Sequence, residues 1–246
     1  MASPLILIPA RMASSRLPGK PLADIAGRPM ILHVVERAQR AGVGRVVVAA
    51  AEVEIADAVR SAGGEVVLTP PDLPSGSDRV HHAARALDPQ GQHNIIINLQ
   101  GDLPGLDPAT LQAALRPLDD AAIDIGTLVS PIRDAEEAGA NSVVKVACAF
   151  APEAQTARAL YFSRAVIPWG AGELWHHIGV YAWRRSALEQ FVALPEGLLE
   201  RREKLEQLRA LEAGMVIGCA RVAQAPFGVD TPADLERARR MLGGVS

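Results

Sequence analysis

Directly after the apolar run Leu5 to Ile8, the segment Pro9 to Leu22 carries Arg11, Ser14, Ser15, Arg16, Gly19 and Lys20. Fixed cations, hydroxyls and exposed backbone N–H groups in one short loop are what a triphosphate requires. The spacing is neither Gly-x4-Gly-Lys-Ser/Thr nor Gly-x-Gly-x-x-Gly, so two common nucleotide motifs are excluded. Two aspartates from distant segments complement the loop. Asp102 follows the apolar run Ile95 to Leu99, and Asp230 precedes Thr231-Pro232. Mg²⁺ takes one or two carboxylates together with phosphate oxygens and waters, and this pair meets that need without histidine or cysteine. The alternative for Asp230 is a helix-capping role. A third set, Lys145, Arg164, His177, Glu206 and Gln207, places polar groups beside apolar segments. Arginine supplies 22 of the 25 basic residues, so Lys20 and Lys145 stand out where arginine is the usual choice.

The elements that must position these residues follow from the hydrophobic pattern. Leu5 to Ile8, Arg45 to Ala50, Glu65 to Leu68 and Ile95 to Leu99 read as short buried strands. Between them, Pro29 opens a helix with Ile31, Val34, Val35 and Ala38 on one face. Glu52 to Ala62 forms a second helix stopped by Gly63-Gly64, and Ser77 caps a third running to Leu87. The resulting βαβαβαβ order predicts an α/β fold, a mainly parallel twisted sheet with helices on both faces. Ligands of such sheets sit beyond the carboxyl ends of strands, where the basic loop and Asp102 emerge. The second half is less regular and predicts a smaller mixed α/β lobe. Strands are expected at Ile125 to Val129, Val143 to Ala149, Ile178 to Trp183 and Val216 to Val222. Helices are expected at Asp107 to Leu115, Ser186 to Leu194, Leu198 to Ala213 (one or two) and Thr231 to Leu242.

Bulk properties narrow the class. With 246 residues and a hydrophobic fraction of 49%, the chain can bury a large core. A net charge of −3 gives no broad field for nucleic acid. No run approaches the roughly 20 apolar residues of a membrane span, and no signal peptide is expected, since Leu5 to Ile8 is too short for a signal core. Cys148 and Cys219 read as buried strand residues and cannot build a disulfide framework, which fits a reducing, cytoplasmic setting.

The opening Pro9-Ala10-Arg11, Ser14, Arg16-Leu17-Pro18, Lys20-Pro21-Leu22 resembles that of the sugar nucleotidyltransferases that activate acidic sugars with CTP. With Ser75-Gly76-Ser77-Asp78-Arg79, Gln100-Gly101-Asp102, Tyr161-Phe162-Ser163-Arg164, Glu206-Gln207-Leu208-Arg209 and Gly228-Val229-Asp230-Thr231-Pro232, the chain most resembles the 3-deoxy-D-manno-octulosonate (Kdo) cytidylyltransferases. The likeness spans nearly the whole chain. It implies one nucleotidyltransferase domain, with about 1–120 holding nucleotide, about 121–225 holding sugar and the dimer contact, and 226–246 closing the metal site. It implies Arg11, Ser14, Arg16 and Lys20 on the triphosphate of CTP, and Ser75, Gly76 and Arg79 on its cytidine. Gln100, Lys145, Arg164, His177, Glu206 and Gln207 would face the sugar, and Asp102 and Asp230 would hold Mg²⁺. A homodimer and a product used in lipopolysaccharide or capsule synthesis are further implications.

Four departures from the family pattern stand out. Leu103 follows Asp102 where an acidic residue is usual, and Ala49-Ala50-Ala51-Glu52 replaces Ala-Thr-Asp. Pro74 replaces glutamine, and the segment 170–175 is short. Two other readings stay open: a cytidylyltransferase for another acidic or amino sugar, and a weakly catalytic nucleotide-binding regulator.

Overall fold

The computed structural model describes residues 3–14 and 16–244, so Ser15 lies outside the described residues. The chain forms two compact units, one from residues 1–111 with 226–246 and one from residues 112–225.

The first unit begins with β1 (Leu5–Ala10), a short 3-10 turn at Lys20–Leu22, and the two-residue strands β2 (Asp24–Ile25) and β3 (Arg28–Pro29). It continues through α1 (Met30–Arg40), β4 (Arg45–Ala50), α2 (Val53–Ser61), β5 (Glu65–Leu68), α3 (Gly76–Leu87), β6 (Ile95–Leu99) and α4 (Pro108–Ala113). Its strands lie in the order β5-β4-β1-β6, and every pairing is parallel. The register sets Ile6 against both Val46 and Ile97. Leu5 to Ile8 are fully buried because β1 is interior and covered on both faces. Each such side chain contributes about 1.5–3 kcal/mol by leaving water. The expected parallel sheet is therefore present.

Local chemistry moved two boundaries. Ser75, not Ser77, caps α3: its hydroxyl accepts from the Asp78 amide, while Ser77 is buried. Pro29 is the N-cap of α1, one residue before the helix that it was expected to open.

The second unit contains β7 (Ile125–Pro131), α5 (Ala135–Gly139), β8 (Lys145–Cys148), β9 (Thr156–Ser163), β10 (Trp175–Arg184), α6 (Arg185–Ala193), α7 (Leu198–Glu203), α8 (Gln207–Glu212) and β11 (Ile217–Arg221). Its strands run β10-β7-β11-β9-β8, and β8 also pairs with the start of β10. The five strands thus close on themselves, with the β11–β7 pair parallel and the others antiparallel. β9 was not expected. The helical stretch after Leu198 is two helices, broken at Lys204 in the left-handed region (φ 57°). Cys219 is buried and Cys148 only partly so; both are free thiols.

After the second unit, α9 (Pro232–Gly243) returns to the first. Val229, Leu235 and Ala238 pack there with Ile25 and Met30 in one apolar cluster. Among the described residues, no helix is long and apolar enough to cross a membrane.

Candidate active site

The basic loop leaves β1 at Ala10 and is closed at its base by backbone bonds. The Gly19 amide donates to Met12 O (3.1 Å), and the Ala51 amide donates to Ala10 O (2.9 Å). Gly19 takes φ 71°, a conformation glycine adopts without a Cβ penalty. The chain then enters the turn at Lys20–Leu22, which fixes the base of the lysine side chain.

Lys20 Nζ donates to Asp102 Oδ2 at 2.8 Å and to Asp230 Oδ1 at 3.1 Å. Arg16 adds an exposed contact to Asp230 Oδ2 at 3.2 Å. Burial alone would lower the Lys20 pKa, but Asp102 and then Asp230 outweigh it and hold the pKa above its ordinary value. The lysine is a permanent cation between two carboxylates.

Each aspartate is aimed by its own backbone. Asp102 lies beyond the end of β6, and Gly101 before it passes close to β1. A Cβ at Gly101 would stand 3.2 Å from Pro9 O and 3.3 Å from Ile31 Cδ1. The Val229 amide donates to Asp102 O at 2.9 Å, which zips the two aspartate segments together. The helix cap beside Asp230 is supplied by Thr231. Its hydroxyl accepts from the Asp234 amide, and Asp234 Oδ2 accepts from the Thr231 and Asp230 amides. Burial would raise the Asp234 pKa, but the Thr231 hydroxyl and these two amides outweigh it and lower the pKa. The capping alternative for Asp230 is therefore filled by its neighbour, and the Asp230 carboxylate faces the cations. Leu103 is buried and sits beside Gly228, so it packs the strand end.

These groups open onto one pocket of about 700 Å³. Arg11, Ser14, Arg16, Lys20, Ser75, Gly76, Arg79, Gln100, Asp102 and Asp230 all line it. Gln100, expected on the sugar side, lies here with the loop, and its amide donates to Asn98 Oδ1 at 3.1 Å. Arg79 lines the pocket but is almost fully buried. Its guanidinium donates to the Thr69 hydroxyl, to Pro70 O (2.9 Å) and to Pro71 O (3.3 Å). It ties the segment 69–71 to α3, and burial lowers its pKa despite Glu52 nearby.

A family model described as cytidylyltransferase matches residues 5–217. The 3-deoxy-manno-octulosonate cytidylyltransferase of Parvibaculum lavamentivorans is 63% identical over 239 residues, covering 97% of this chain and 92% of that protein. The chain belongs to the 3-deoxy-manno-octulosonate cytidylyltransferase family. The member from Paramagnetospirillum magneticum is 58% identical, with 98% of each chain covered. A solved CMP:2-keto-3-deoxy-manno-octonic acid synthetase complexed with CTP has a TM-score of 0.89 at 42% identity, with 98% of each chain covered. The protein is a nucleotidyltransferase enzyme with the fold of that family.

The remaining predicted residues belong to the second unit. Arg164 Nε donates to Glu203 O (2.9 Å), Nη1 to Asn141 O (2.9 Å) and Nη2 to Lys204 O (3.4 Å). Three of its five N–H donors therefore hold protein carbonyls, and two remain for a ligand. Lys145 is buried, with Nζ donating to Val143 O (2.7 Å) and Ala140 O (3.0 Å). Burial and then Arg164 lower its pKa. His177 is buried, and burial then His176 push its pKa down to about 3, so it is neutral. Its Nε2 lies 3.0 Å from Thr127 Oγ1, and that hydroxyl donates to Val180 O at 2.9 Å. A hydroxyl has one proton, so this geometry assigns the imidazole hydrogen to Nε2. Gln207 is buried in α8, and Glu206 is that helix's N-cap. Burial and then Glu206 raise the Tyr181 pKa.

Sequence reasoning passed over two holding groups. Glu203 Oε1 accepts from Ser163 Oγ (2.8 Å) and Oε2 from the Arg164 amide (3.0 Å). Thr127 holds His177 from a strand otherwise read as apolar. Neither position carries a motif. Only the apolar context of Thr127 marked it as a buried hydroxyl in need of partners.

Proposed function

We propose that this enzyme transfers the cytidylyl group of CTP to 3-deoxy-D-manno-octulosonate. The sugar's anomeric oxygen attacks the α-phosphorus, the bond to the β-phosphate oxygen breaks, and CMP-Kdo and diphosphate are the products. The hydroxyl proton is lost in the same exchange. The observation that carries this reading is the convergence, in one pocket, of the basic loop with Asp102 and Asp230. A related solved structure is complexed with CTP, and 98% of its length aligns with this chain.

In this reading Arg11, Ser14, Arg16 and Lys20 take the triphosphate, and Ser75, Gly76 and Arg79 form the base side. Residues of about 1–120 serve the nucleotide, about 121–225 the sugar, and 226–246 complete the charged cluster. Alignment and charge neutralisation supply most of the rate in phosphate transfer. Arg164 offers two donors to the sugar carboxylate. Lys145 and Glu203 fix its surroundings, while His177, Glu206, Gln207 and Gln100 supply hydrogen-bonding partners.

Among the described residues there is no group of three or more histidine, cysteine, aspartate or glutamate side chains arranged for a metal. Mg²⁺ needs no such group, since waters and phosphate oxygens complete its shell. Asp102 and Asp230 already flank one cation, Lys20 Nζ, so their spacing suits a second cation brought with the nucleotide. Mg²⁺ held there would neutralise charge developing on the phosphates.

A homodimer through the second unit completes the reading. Leu160, Val166, Trp169, Leu198 and Leu199 are exposed there, and apolar exposure of that kind favours a protein contact. Sedimentation across a concentration series tests it. The activity test is diphosphate release with CTP, Mg²⁺ and a panel of acidic sugars. Release with Kdo above all others is expected. CTP binding with no release for any sugar would replace this reading with a nucleotide-binding module.

A further inference from the structure

Glu52 stands where α2 begins, beside the base of the nucleotide pocket. Its Oε2 accepts a hydrogen bond from the Met12 amide at 3.0 Å, forty residues away in sequence. Met12 is thereby gripped on both sides, because its carbonyl accepts from the Gly19 amide at 3.1 Å. The neighbours of Met12, Arg11 and Ala13, both line the pocket, and so does Ser14. Met12 itself does not line it, and its methyl lies 3.7 Å from the Cβ position of Gly19. The loop therefore turns its functional side chains to the pocket around one residue whose backbone is fixed.

A carboxylate near a triphosphate site carries an electrostatic cost, because like charges repel most strongly where water is partly excluded. The retained hydrogen bond gives that cost a compensating role. A loop with several backbone N–H groups and two arginines has many conformations, and a charge-assisted bond to one amide selects among them.

We infer that Glu52 is a positioning residue: through the Met12 amide it sets the phosphate loop so that Arg11 and Ser14 face the nucleotide. This deepens the proposed function and rests on it, since the loop is taken to bind CTP.

The test compares Glu52→Ala, Glu52→Asp and Glu52→Gln on the full-length enzyme. Glutamine can accept the same amide hydrogen bond through its carbonyl while removing the charge, whereas alanine cannot and aspartate is one methylene too short. In Glu52→Ala the KM for CTP should rise about tenfold with the KM for the sugar unchanged. Glu52→Asp should resemble Glu52→Ala. Glu52→Gln should return the KM for CTP to the wild-type value or below it, as the repulsion is gone. CTP binding measured by calorimetry should follow the same order. Urea midpoints establish that each variant is folded, and Glu52→Asp set against Glu52→Gln carries the test if Glu52→Ala does not fold. Wild-type CTP affinity in Glu52→Ala, or equal damage in Glu52→Gln and Glu52→Ala, overturns the inference. Failure of the wild-type enzyme to bind CTP at all would instead remove the reading of the pocket on which it rests.

Discussion

The two units use charge in opposite ways. In the first, cations and carboxylates meet one another at the rim of an open pocket: Asp230 is 48% exposed and Arg16 is 61% exposed. In the second, Lys145, Arg164 and His177 are held by backbone carbonyls and hydroxyls, and two of them are buried. A triphosphate arrives with several charges and its own counterions, so its site needs cations that can exchange partners. A sugar with one carboxylate and many hydroxyls needs a few donors set in fixed positions. The charged residues at that rim should therefore govern turnover with little effect on folding. Those of the second should govern both.

The sharpest way to break this contrast is to neutralise the aspartates. Asp102→Asn and Asp230→Asn should each lower turnover at limiting Mg²⁺ by roughly a hundredfold, with melting temperatures near that of the wild type. Magnesium titrations of both variants, read alongside thermal melts, check it. Wild-type Mg²⁺ dependence in both would remove the pair from the metal site.

Lys20→Ala comes next. It should reduce kcat/KM for CTP by roughly tenfold or more, because charge-assisted contacts contribute about 1.5–3 kcal/mol. Unchanged CTP kinetics would confine Lys20 to bridging the two aspartates.

The counterpart in the second unit is Arg164→Lys. A lysine keeps the charge and loses the planar fork that reaches three carbonyls at once. The KM for the sugar should rise several-fold, the KM for CTP should hold, and the melting temperature should fall by a few degrees. Loss of sugar use at unchanged stability would show that the carbonyl contacts are dispensable, and the contrast between the units would weaken.

A further expectation concerns pH. His177 has a folded pKa of about 3, below its unfolded value near 6.5. Between those values the unfolded chain binds a proton that the folded chain does not, so stability falls as pH drops below about 6.5. At pH 5 the loss from this one group is about 2 kcal/mol. Urea unfolding at pH 7 and pH 5 should show that loss reduced in His177→Gln. An identical pH slope in the variant would mean that His177 is protonated in the native state.

The first unit was legible in the sequence because its strands are short apolar runs and its turns carry glycine and proline. The meeting of Lys20, Asp102 and Asp230 was legible too, since Lys20 and Asp102 come after apolar strands and Asp230 is marked by the Asp-Thr-Pro turn before α9. The cap of α3 was misplaced because Ser75 and Ser77 are equivalent on paper, and only the amide of Asp78 distinguishes them. β9 escaped because Thr156 and Arg158 cut its apolar run to Ala159–Phe162, and Leu160 stands on the exposed side where the alternation of a half-buried strand calls for a polar residue. The break at Lys204 was hidden because left-handed backbone there falls on a lysine and not on a glycine. The work of Arg79 and Arg164 on backbone carbonyls had no sequence signal, because carbonyls are the same at every position.

The return of α9 to the first unit has a consequence for the order in which the protein is made. Translation delivers the loop, Lys20 and Asp102 early, and then all of the second unit. Asp230, Val229 and Leu235 emerge only after that. A growing chain therefore has the cations of the basic loop long before it has the second carboxylate or the apolar side chains that cover Ile25 and Met30. Until those residues arrive, Lys20 has one of its two carboxylate partners, and Ile25 and Met30 lack their apolar cover.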